Sequence, residues 1–236
     1  MSIKTILFDF MGTCLDWHSH ITSTLPSSLP EPLRSSFALA WRQAYFDFTL
    51  SRAALSLAPE DIDLTHAHTY DEALSLNEFS SAREVLCAPG VKENCVAAWH
   101  HLPAWQDVAP VLHELKERGF EIVVFANGTT RLQLDLCRSS GLGFDMLFSS
   151  QMLGVYKPAL QSYEKVLELL GRKAEEVVMV AAHAYDLRGA RRTGMKGVYV
   201  YRWTDDVKEN QEVVKMENEV WMEGMRGLGD VIEGLG

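Results

Sequence analysis

Apolar positions at the start of the chain run together rather than alternate. Residues 5–8 read Thr-Ile-Leu-Phe, and the run ends on Asp9, shortly before Gly12. A short continuous apolar run predicts a strand buried on both faces, as in a parallel sheet. Ligands of such sheets bind beyond the carboxyl ends of the strands, so the pattern makes Asp9 a candidate for chemistry. Taken alone, an acid after a strand more often stabilises a turn.

From Asp16 to His101 the apolar spacing is helical, and no buried strand is predicted. The clearest stretch is 33–57, where large apolar residues recur at helical spacing without an intervening Pro or Gly, which predicts one amphipathic helix or two. Shorter helical segments follow over 69–99, interrupted at Pro89-Gly90.

Beyond Pro103 the pattern changes to alternating helices and strands. The predicted helices span 107–118, 130–140, 158–170 and 185–193, and the predicted strands span 121–126, 146–149, 177–181 and 198–201. We take 198–201 as the last strand and expect surface helices in the remainder. Strands that alternate with helices predict an α/β fold with a doubly wound parallel sheet.

The number of residues between the first two predicted strands is the strongest indication of the domain organisation. Roughly 110 residues separate them, whereas a simple crossover between parallel strands needs about a dozen. The excess predicts an inserted helical cap domain over 16–101, placed above the carboxyl end of the first strand. The α/β core is then predicted to comprise residues 1–15 and 102–236.

Composition narrows the possible partners. A formal net charge of −10 argues against binding to nucleic acid or to an anionic membrane, because both need basic surfaces. No apolar run approaches the ~20 residues of a membrane span, and no signal peptide is evident, so we expect a cytoplasmic protein. The four cysteines lack metal-binding or CxxC spacing, which predicts reduced and mostly buried thiols.

Polar residues follow four of the predicted strands: Asp9 to Thr13, Asn127 to Thr129, Lys157, and His183 to Asp186. Their order and gaps resemble the haloacid dehalogenase superfamily over nearly the whole chain. The segments Trp41-Arg42-Gln43, Phe125-Ala126-Asn127-Gly128-Thr129, Tyr156-Lys157-Pro158-Ala159 and Ala184-Tyr185-Asp186 are similar to the L-2-haloacid dehalogenase (type II) branch. This resemblance implies a Rossmann-like core with a cap, and a hydrolase that releases halide from short 2-halo carboxylic acids with inversion at C2.

The resemblance also implies roles for individual residues. Asp9 would be a nucleophile that forms an ester with the substrate, since an aspartate carboxylate can displace a halide from carbon. Lys157 and Asp186 complete the implied catalytic set. The residues implied to bind the substrate or the halide are Phe10, Met11, Thr13, Arg42, Asn127, Gly128 and His183. The implied substrate is a small carboxylate, no metal or other cofactor is expected, and a homodimer is possible.

Each of these residues also has a simpler interpretation. Arg42 could be an exposed helix residue paired with Asp47, and Lys157 could be a surface lysine. The remaining polar residues could stabilise local structure: Thr13 and Asp186 as helix or turn caps, Asn127 as a turn residue, and His183 as a strand-end histidine with its hydrogen bonds satisfied. His183 could equally act on water.

Departures from the resembled branch leave other functions open. Met11 stands where the branch usually has Tyr, Ala126 where it has Ser, and Ala181-Ala182-His183 where it has Ser-Ser-Asn. A phosphatase of the superfamily would need acids at Met11 and Ala182 for acid catalysis and Mg²⁺ binding, so that alternative is weaker. A third possibility is a catalytically silent binding protein that keeps the fold.

Overall fold

The computed structural model describes residues 2–236 and, within them, forms one six-stranded sheet. The strands are β1 Thr5–Phe8, β2 Glu121–Ala126, β3 Met146–Ser149, β4 Val177–Ala181, β5 Lys196–Tyr201 and β6 Val220–Glu223. All neighbours pair in parallel, in the order β3-β2-β1-β4-β5-β6. Buried side chains cover both faces of the sheet. The predicted doubly wound parallel sheet is therefore confirmed.

Strand β1 lies at the centre of the sheet, between β2 and β4. Its last residue, Phe8, is paired with Val124 of β2 and Val180 of β4. The side chains of β1 are all buried, as expected for a continuous apolar run covered on both faces. Because parallel strands end at the same edge, the residues that follow β1, β2 and β4 are brought together there.

Five helices lie between β1 and the next helix of the core. They are α1 Trp17–Thr24, α2 Glu31–Ala54, α3 Ile62–Ser75, α4 Arg83–Leu86 and α5 Val91–Ala98, with a 3₁₀ helix at Asn77–Ala82. The long amphipathic pattern forms one helix, α2, rather than two. Asp16 and Asp61 accept hydrogen bonds from the first turns of α1 and α3, and Gly90 adopts a positive φ of 82° before α5.

Seven further helices accompany the remaining strands. They are α6 Val108–Glu117, α7 Thr130–Ser140, α8 Ser150–Leu153, α9 Leu160–Leu170, α10 Ala184–Arg191, α11 Gln211–Glu217 and α12 Leu228–Leu235. The predicted helix beginning at Pro158 starts at Leu160 instead, with Ala159 at its N-cap. The predicted helix 130–140 matches α7 at both ends, and the helices predicted over 107–118 and 185–193 are present with ends shifted by one or two residues, the usual uncertainty of helix ends.

The prediction that 198–201 is the last strand was wrong. Val220–Glu223 forms β6, which extends the sheet in parallel beside β5. This strand is short, lies at the edge of the sheet and is only half-buried, so its apolar pattern is weak. The final helix, α12, is also more than a surface helix, because Leu228 and Ile232 are fully buried. Of the four free cysteines, two are buried, Cys14 and Cys95.

The inserted helices and the sheet share one apolar core. Phe8 of β1, Trp17 of α1 and Trp41 of α2 belong to the same buried cluster. Within the core, Trp105 Nε1 donates to the carbonyl of Gly12 at 2.8 Å. An indole hydrogen bond also crosses the junction, because Trp17 Nε1 of α1 donates to Asp205 Oδ2 at 3.1 Å. The helices are thereby held over the carboxyl end of β1. Among residues 2–236, no helix combines the length and the apolarity that crossing a membrane requires.

Candidate active site

Asp9 follows β1 directly and is buried at the carboxyl edge of the sheet. Both of its carboxylate oxygens accept hydrogen bonds. Oδ1 accepts from Lys157 Nζ at 2.9 Å. Oδ2 accepts from the hydroxyl of Thr13 at 2.7 Å and from His183 Nδ1 at 2.9 Å. Three donors from three different segments therefore converge on this carboxylate.

Lys157 lies between two carboxylates and is itself buried. Its Nζ is 2.6 Å from Asp186 Oδ2, and it also donates to the carbonyl of Phe125 at 2.8 Å. Asp186 Oδ1 accepts a hydrogen bond from Tyr163 at 2.8 Å. Neither Lys157 nor Asp186 is a surface residue, because both side chains are at most 1% exposed. Breaking such a buried pair leaves an uncompensated charge, which is costly.

The surroundings of Asp9 favour its ionised form. Burial alone would raise the pKa of Asp9, but the positive charges of Lys157 and His183, with their hydrogen bonds, hold that pKa well below the usual range. Burial instead raises the pKa of Asp186, and the negative charge of Asp9 adds to this effect. The pKa of Lys157 is raised because Asp186 and Asp9 together outweigh the cost of its burial.

His183 bridges Asp9 and a second acid that follows β5. Its Nε2 lies 2.9 Å from Oδ1 of Asp205, and the ring is only 1% exposed. Burial alone would lower the pKa of His183, but the two carboxylates raise it to about 10. The ring is therefore doubly protonated at neutral pH and can donate to both acids. Asp205 also accepts hydrogen bonds from Trp17 and Thr204.

Gly12 makes the approach of Asp205 possible. Its φ is +90°, and an added Cβ would lie 2.3 Å from Asp205 Oδ1. Both the backbone conformation and the close contact therefore require glycine at this position. The turn after β1 brings the Asp205 carboxylate next to the Asp9 loop.

Arg42 projects from α2 toward this edge of the sheet and is buried, not paired with Asp47. Its Nη2 donates to the carbonyl of Met11 at 3.1 Å and lies 3.9 Å from Asp205 Oδ1. Nε and Nη1 are buried and have no partner among the described residues. Four aromatic rings lie within 5.6 Å of its Cζ, those of Trp17, Tyr45, Phe46 and Trp99. A buried guanidinium with two free donor groups is suited to bind an anion.

Three other predicted binding residues, Asn127, Gly128 and Phe10, make contacts within the protein. Asn127 holds the backbone of Lys157, donating to its carbonyl at 3.1 Å and accepting from its amide at 2.9 Å. Gly128 faces Ser150, whose hydroxyl accepts from the Gly128 amide. The Phe10 ring is buried against Phe144 and points into the core.

A small cavity reaches Asp9 from the side of the inserted helices. It measures about 10 Å³ and is lined by Asp9, Met11, Arg42, Tyr45, Phe46, Ala126, Asn127, His183 and Tyr185. That volume holds about one water molecule. A neighbouring cavity of about 140 Å³ shares Arg42, Phe46 and Tyr185 with it. Arg42, Phe46 and Tyr185 therefore line both cavities.

The acids and the histidine around Asp9 could in principle hold a metal ion. One ligand atom each from Asp9, His183 and Asp186 lie within 4.8 Å of one another. However, the Lys157 ammonium already lies between the two carboxylates, and a protonated His183 has no lone pair for a metal. Met11 and Ala182 supply no further oxygen ligand from their side chains. This donor set does not fit Mg²⁺, which prefers several oxygen ligands.

Sequence reasoning missed two residues that contact this cluster. Asp205 follows β5 by four residues, and the rule that singled out Asp9 could have found it. Tyr163 lies on the buried face of α9, where an aromatic residue is indistinguishable from an ordinary core residue. Its contact with Asp186 becomes visible only when α9 and α10 are brought together.

Comparison with known proteins supports the resemblance in the motifs. The family model for haloacid dehalogenase-like hydrolases matches residues 3–194. The (S)-2-haloacid dehalogenase of Pseudomonas sp. (strain YL) is 30% identical over 209 residues, covering 85% of this chain and 83% of that protein. (S)-2-haloacid dehalogenase 4A of Burkholderia cepacia is 29% identical over 205 residues, covering 85% and 84%.

Solved structures agree with the sequence relatives. The crystal structure of an L-2-haloacid dehalogenase superimposes with a TM-score of 0.82 at 25% sequence identity, covering 99% of this chain and 100% of that chain. The family match spans β1 to the end of α10, which includes Asp9, Arg42, Asn127, Lys157, His183 and Asp186. This chain belongs to the haloacid dehalogenase-like hydrolase family.

Proposed function

We propose that this chain hydrolyses short 2-halo carboxylic acids to 2-hydroxy acids, with Asp9 as the nucleophile. The observation that carries the proposal is the buried, ionised Asp9 carboxylate, held by Lys157, Thr13 and His183 at the carboxyl edge of the sheet. The names of the similar (S)-2-haloacid dehalogenases support the same chemistry.

In the first step, an Asp9 oxygen attacks C2 of the substrate from the side opposite the halide. The carbon–halogen bond breaks with its electron pair, halide leaves, and an ester joins Asp9 to the substrate. No proton is transferred in this step. The low pKa of Asp9 keeps the attacking carboxylate ionised, and Lys157 balances its charge.

In the second step, water attacks the carbonyl carbon of the Asp9 ester. The bond between that carbon and the bridging ester oxygen breaks, so the former Asp9 oxygen leaves as the hydroxyl of the product and the water oxygen replaces it in the Asp9 carboxylate. One water proton ends on the hydroxyl of the product, and the other leaves to solvent. Asp186 is suited to accept the first proton, because burial raises its pKa above that of an ordinary carboxylate. Lys157 lies between Asp186 and Asp9 Oδ1 and can pass that proton to the former Asp9 oxygen as it leaves with the product.

Arg42 is proposed to bind the carboxylate or the departing halide. Its two free donor groups, Nε and Nη1, are buried beside the cavity that reaches Asp9. The surrounding rings exclude water, which strengthens the attraction between the guanidinium and an anion. Met11 and Ala126 line the same cavity without offering hydroxyls, and Arg42 is, among the residues that the structure describes, the one guanidinium in its lining.

The small size of the cavity implies that the site opens before substrate enters. About 10 Å³ is too little for a halo acid. We propose that residues 16–101 form a cap domain, that residues 1–15 and 102–236 form the core, and that the cap moves away from the sheet edge to admit substrate past Phe46. A cytoplasmic location and a homodimer remain predictions from the sequence.

Replacing Arg42 with lysine tests its anion-binding role. A buried guanidinium facing an anion typically contributes about 2 to 5 kcal/mol, and lysine lacks its planar set of donors. Halide release by Arg42→Lys should therefore fall by roughly 30-fold or more. Arg34→Lys, on the same helix, should retain the wild-type rate, since the Arg34 side chain donates to the carbonyl of Thr22 in α1, away from Asp9. Equal rates for both variants would place the anion elsewhere.

Halide release in the presence of EDTA tests the proposed function as a whole. The protein, after prolonged treatment with EDTA, is incubated with 2-chloropropionate and with p-nitrophenyl phosphate. We expect chloride release at the untreated rate, because the Lys157 ammonium supplies the cation between Asp9 and Asp186. Phosphate release that depends on added Mg²⁺, without chloride release, would replace the dehalogenase proposal with a phosphatase.

A further inference from the structure

His183 makes a pair of hydrogen bonds that only its doubly protonated ring can donate. Nδ1 donates to Asp9 Oδ2, and Nε2 donates to Asp205 Oδ1, both at 2.9 Å. A neutral ring has a single N–H group. Asp205 is itself held in place, because its other oxygen accepts a hydrogen bond from Trp17 Nε1. Gly12 leaves the space that the Asp205 carboxylate occupies. This arrangement fixes the ring with one N–H group aimed at Asp9.

The donors around Asp9 are distributed unequally between its oxygens. Oδ2 accepts two hydrogen bonds, from Thr13 and His183, whereas Oδ1 accepts one, from Lys157. Two donors withdraw more electron density than one, so Oδ1 is the better nucleophile. After attack by Oδ1, Oδ2 remains as the carbonyl oxygen of the ester and keeps its two donors.

We infer that His183 is a further catalytic residue, which together with Thr13 forms an oxyanion hole around Asp9 Oδ2 during hydrolysis of the aspartyl ester. The inference rests on the proposed function and concerns its second step. When water adds to the ester carbon, the electron pair of the carbonyl π bond moves to Oδ2. That oxygen becomes negatively charged 2.7 Å from the Thr13 hydroxyl and 2.9 Å from His183 Nδ1. When the ester bond breaks, the electron pair returns to the carbonyl.

Asp205 acts as a positioning residue for this oxyanion hole. In the ester, Asp9 Oδ2 is a neutral carbonyl oxygen, whereas the Asp205 carboxylate keeps its negative charge and is the stronger acceptor. If His183 lost a proton at that stage, its remaining N–H group would therefore lie on Nε2, facing Asp205. Nδ1 would then present a lone pair to the developing negative charge and repel it. Asp205 therefore both aims the ring and keeps it in the protonated form that can donate. The rings of Phe46 and Tyr185 pack against His183 and limit the access of water to it.

Single-turnover kinetics with 2-chloropropionate separate the two steps. His183→Phe and His183→Leu both remove the N–H group that faces Asp9. Two variants are used so that the test still works if one of them does not fold. The reaction is quenched in acid, and chloride and the mass of the intact protein are followed over time. Loss of one oxyanion donor typically slows a reaction by about 100-fold or more. We expect one equivalent of chloride per protein to be released in a burst, while protein that carries one propionate unit accumulates at the same rate and then disappears slowly.

Two further variants act as controls. His183→Gln can still present an N–H group to Oδ2, so it should hydrolyse the ester faster than the Phe and Leu variants. His113→Phe makes the same chemical change on the exposed face of α6, where the His113 ring is 77% exposed, and should behave as wild type.

The outcomes distinguish the inference from the function on which it rests. If the wild-type protein releases no chloride, the proposed function fails and the inference falls with it. If the wild-type protein turns over but folded His183 variants show no burst and no ester, His183 acts in the displacement step instead, and the inference is wrong. An ester that disappears at the wild-type rate would equally overturn it.

Discussion

Replacing Lys157 with methionine is expected to abolish halide release and to lower the free energy of unfolding by about 3 to 5 kcal/mol. Lys157 is the only lysine or arginine within 4.0 Å of either Asp9 or Asp186 among residues 2–236, and all three side chains are buried. Without it, the two carboxylates would face each other across a low-dielectric site. Asp186, whose pKa burial already raises, would take up a proton, and Asp9 would lose both the hydrogen bond on its Oδ1 and one of the two positive charges that lower its pKa.

Urea unfolding and chloride release measure the two effects on the same protein. Lys165→Met is the matched control, since Lys165 lies on α9 and its Nζ donates to the carbonyl of Leu153 away from the cluster. We expect that variant to keep wild-type activity and most of its stability. A Lys157→Met protein that remains active would show that Asp9 ionises without the ammonium, and our account of the site would be wrong.

The core of the fold was predictable because its strands are continuous apolar runs. Strands β1, β2 and β4 are buried along nearly their whole length, so their sequences contain few polar residues. The insert was predictable from the length of chain between β1 and β2. In contrast, β6 is partly exposed at the sheet edge, and its apolar residues stand among acids and lysines that are typical of a surface helix.

The candidate site was predictable only where its residues follow strands or belong to a recognisable motif. Asp9, Lys157 and Asp186 are brought together as the resemblance implied. Lys157 does not directly follow a strand, since the short helix α8 separates it from β3. The partner of His183 was not predicted, because Asp205 belongs to a loop after β5 that sequence reasoning treated as the start of a surface segment. The hydrogen bonds between the Asn127 side chain and the backbone of Lys157 could not be predicted from the sequence either. They depend on how the loops that carry the two residues are positioned in the fold.

Asp9→Asn is expected to remove halide release altogether while leaving the protein folded. An amide is a far weaker nucleophile than a carboxylate, and removal of a catalytic nucleophile lowers rates by roughly 10⁶-fold in well-studied hydrolases. Asn keeps the shape of the side chain, although its amide group cannot accept from Lys157, Thr13 and His183 together. Asp107→Asn, which changes an acid paired with Arg202 outside the cluster, serves as the control. Chloride release by Asp9→Asn at more than a trace rate would identify another nucleophile.

The central claim, an ester on Asp9, is tested most directly by the fate of the water oxygen. A single turnover of 2-chloropropionate in heavy-oxygen water, with protein in excess over substrate, is followed by proteolysis and mass analysis of the peptide that contains Asp9. If water opens the ester at the Asp9 carbonyl, the heavy oxygen enters the Asp9 carboxylate and the lactate formed carries none. Label found only in the lactate, with Asp9 unlabelled, would mean that water attacks the substrate directly and would contradict the account.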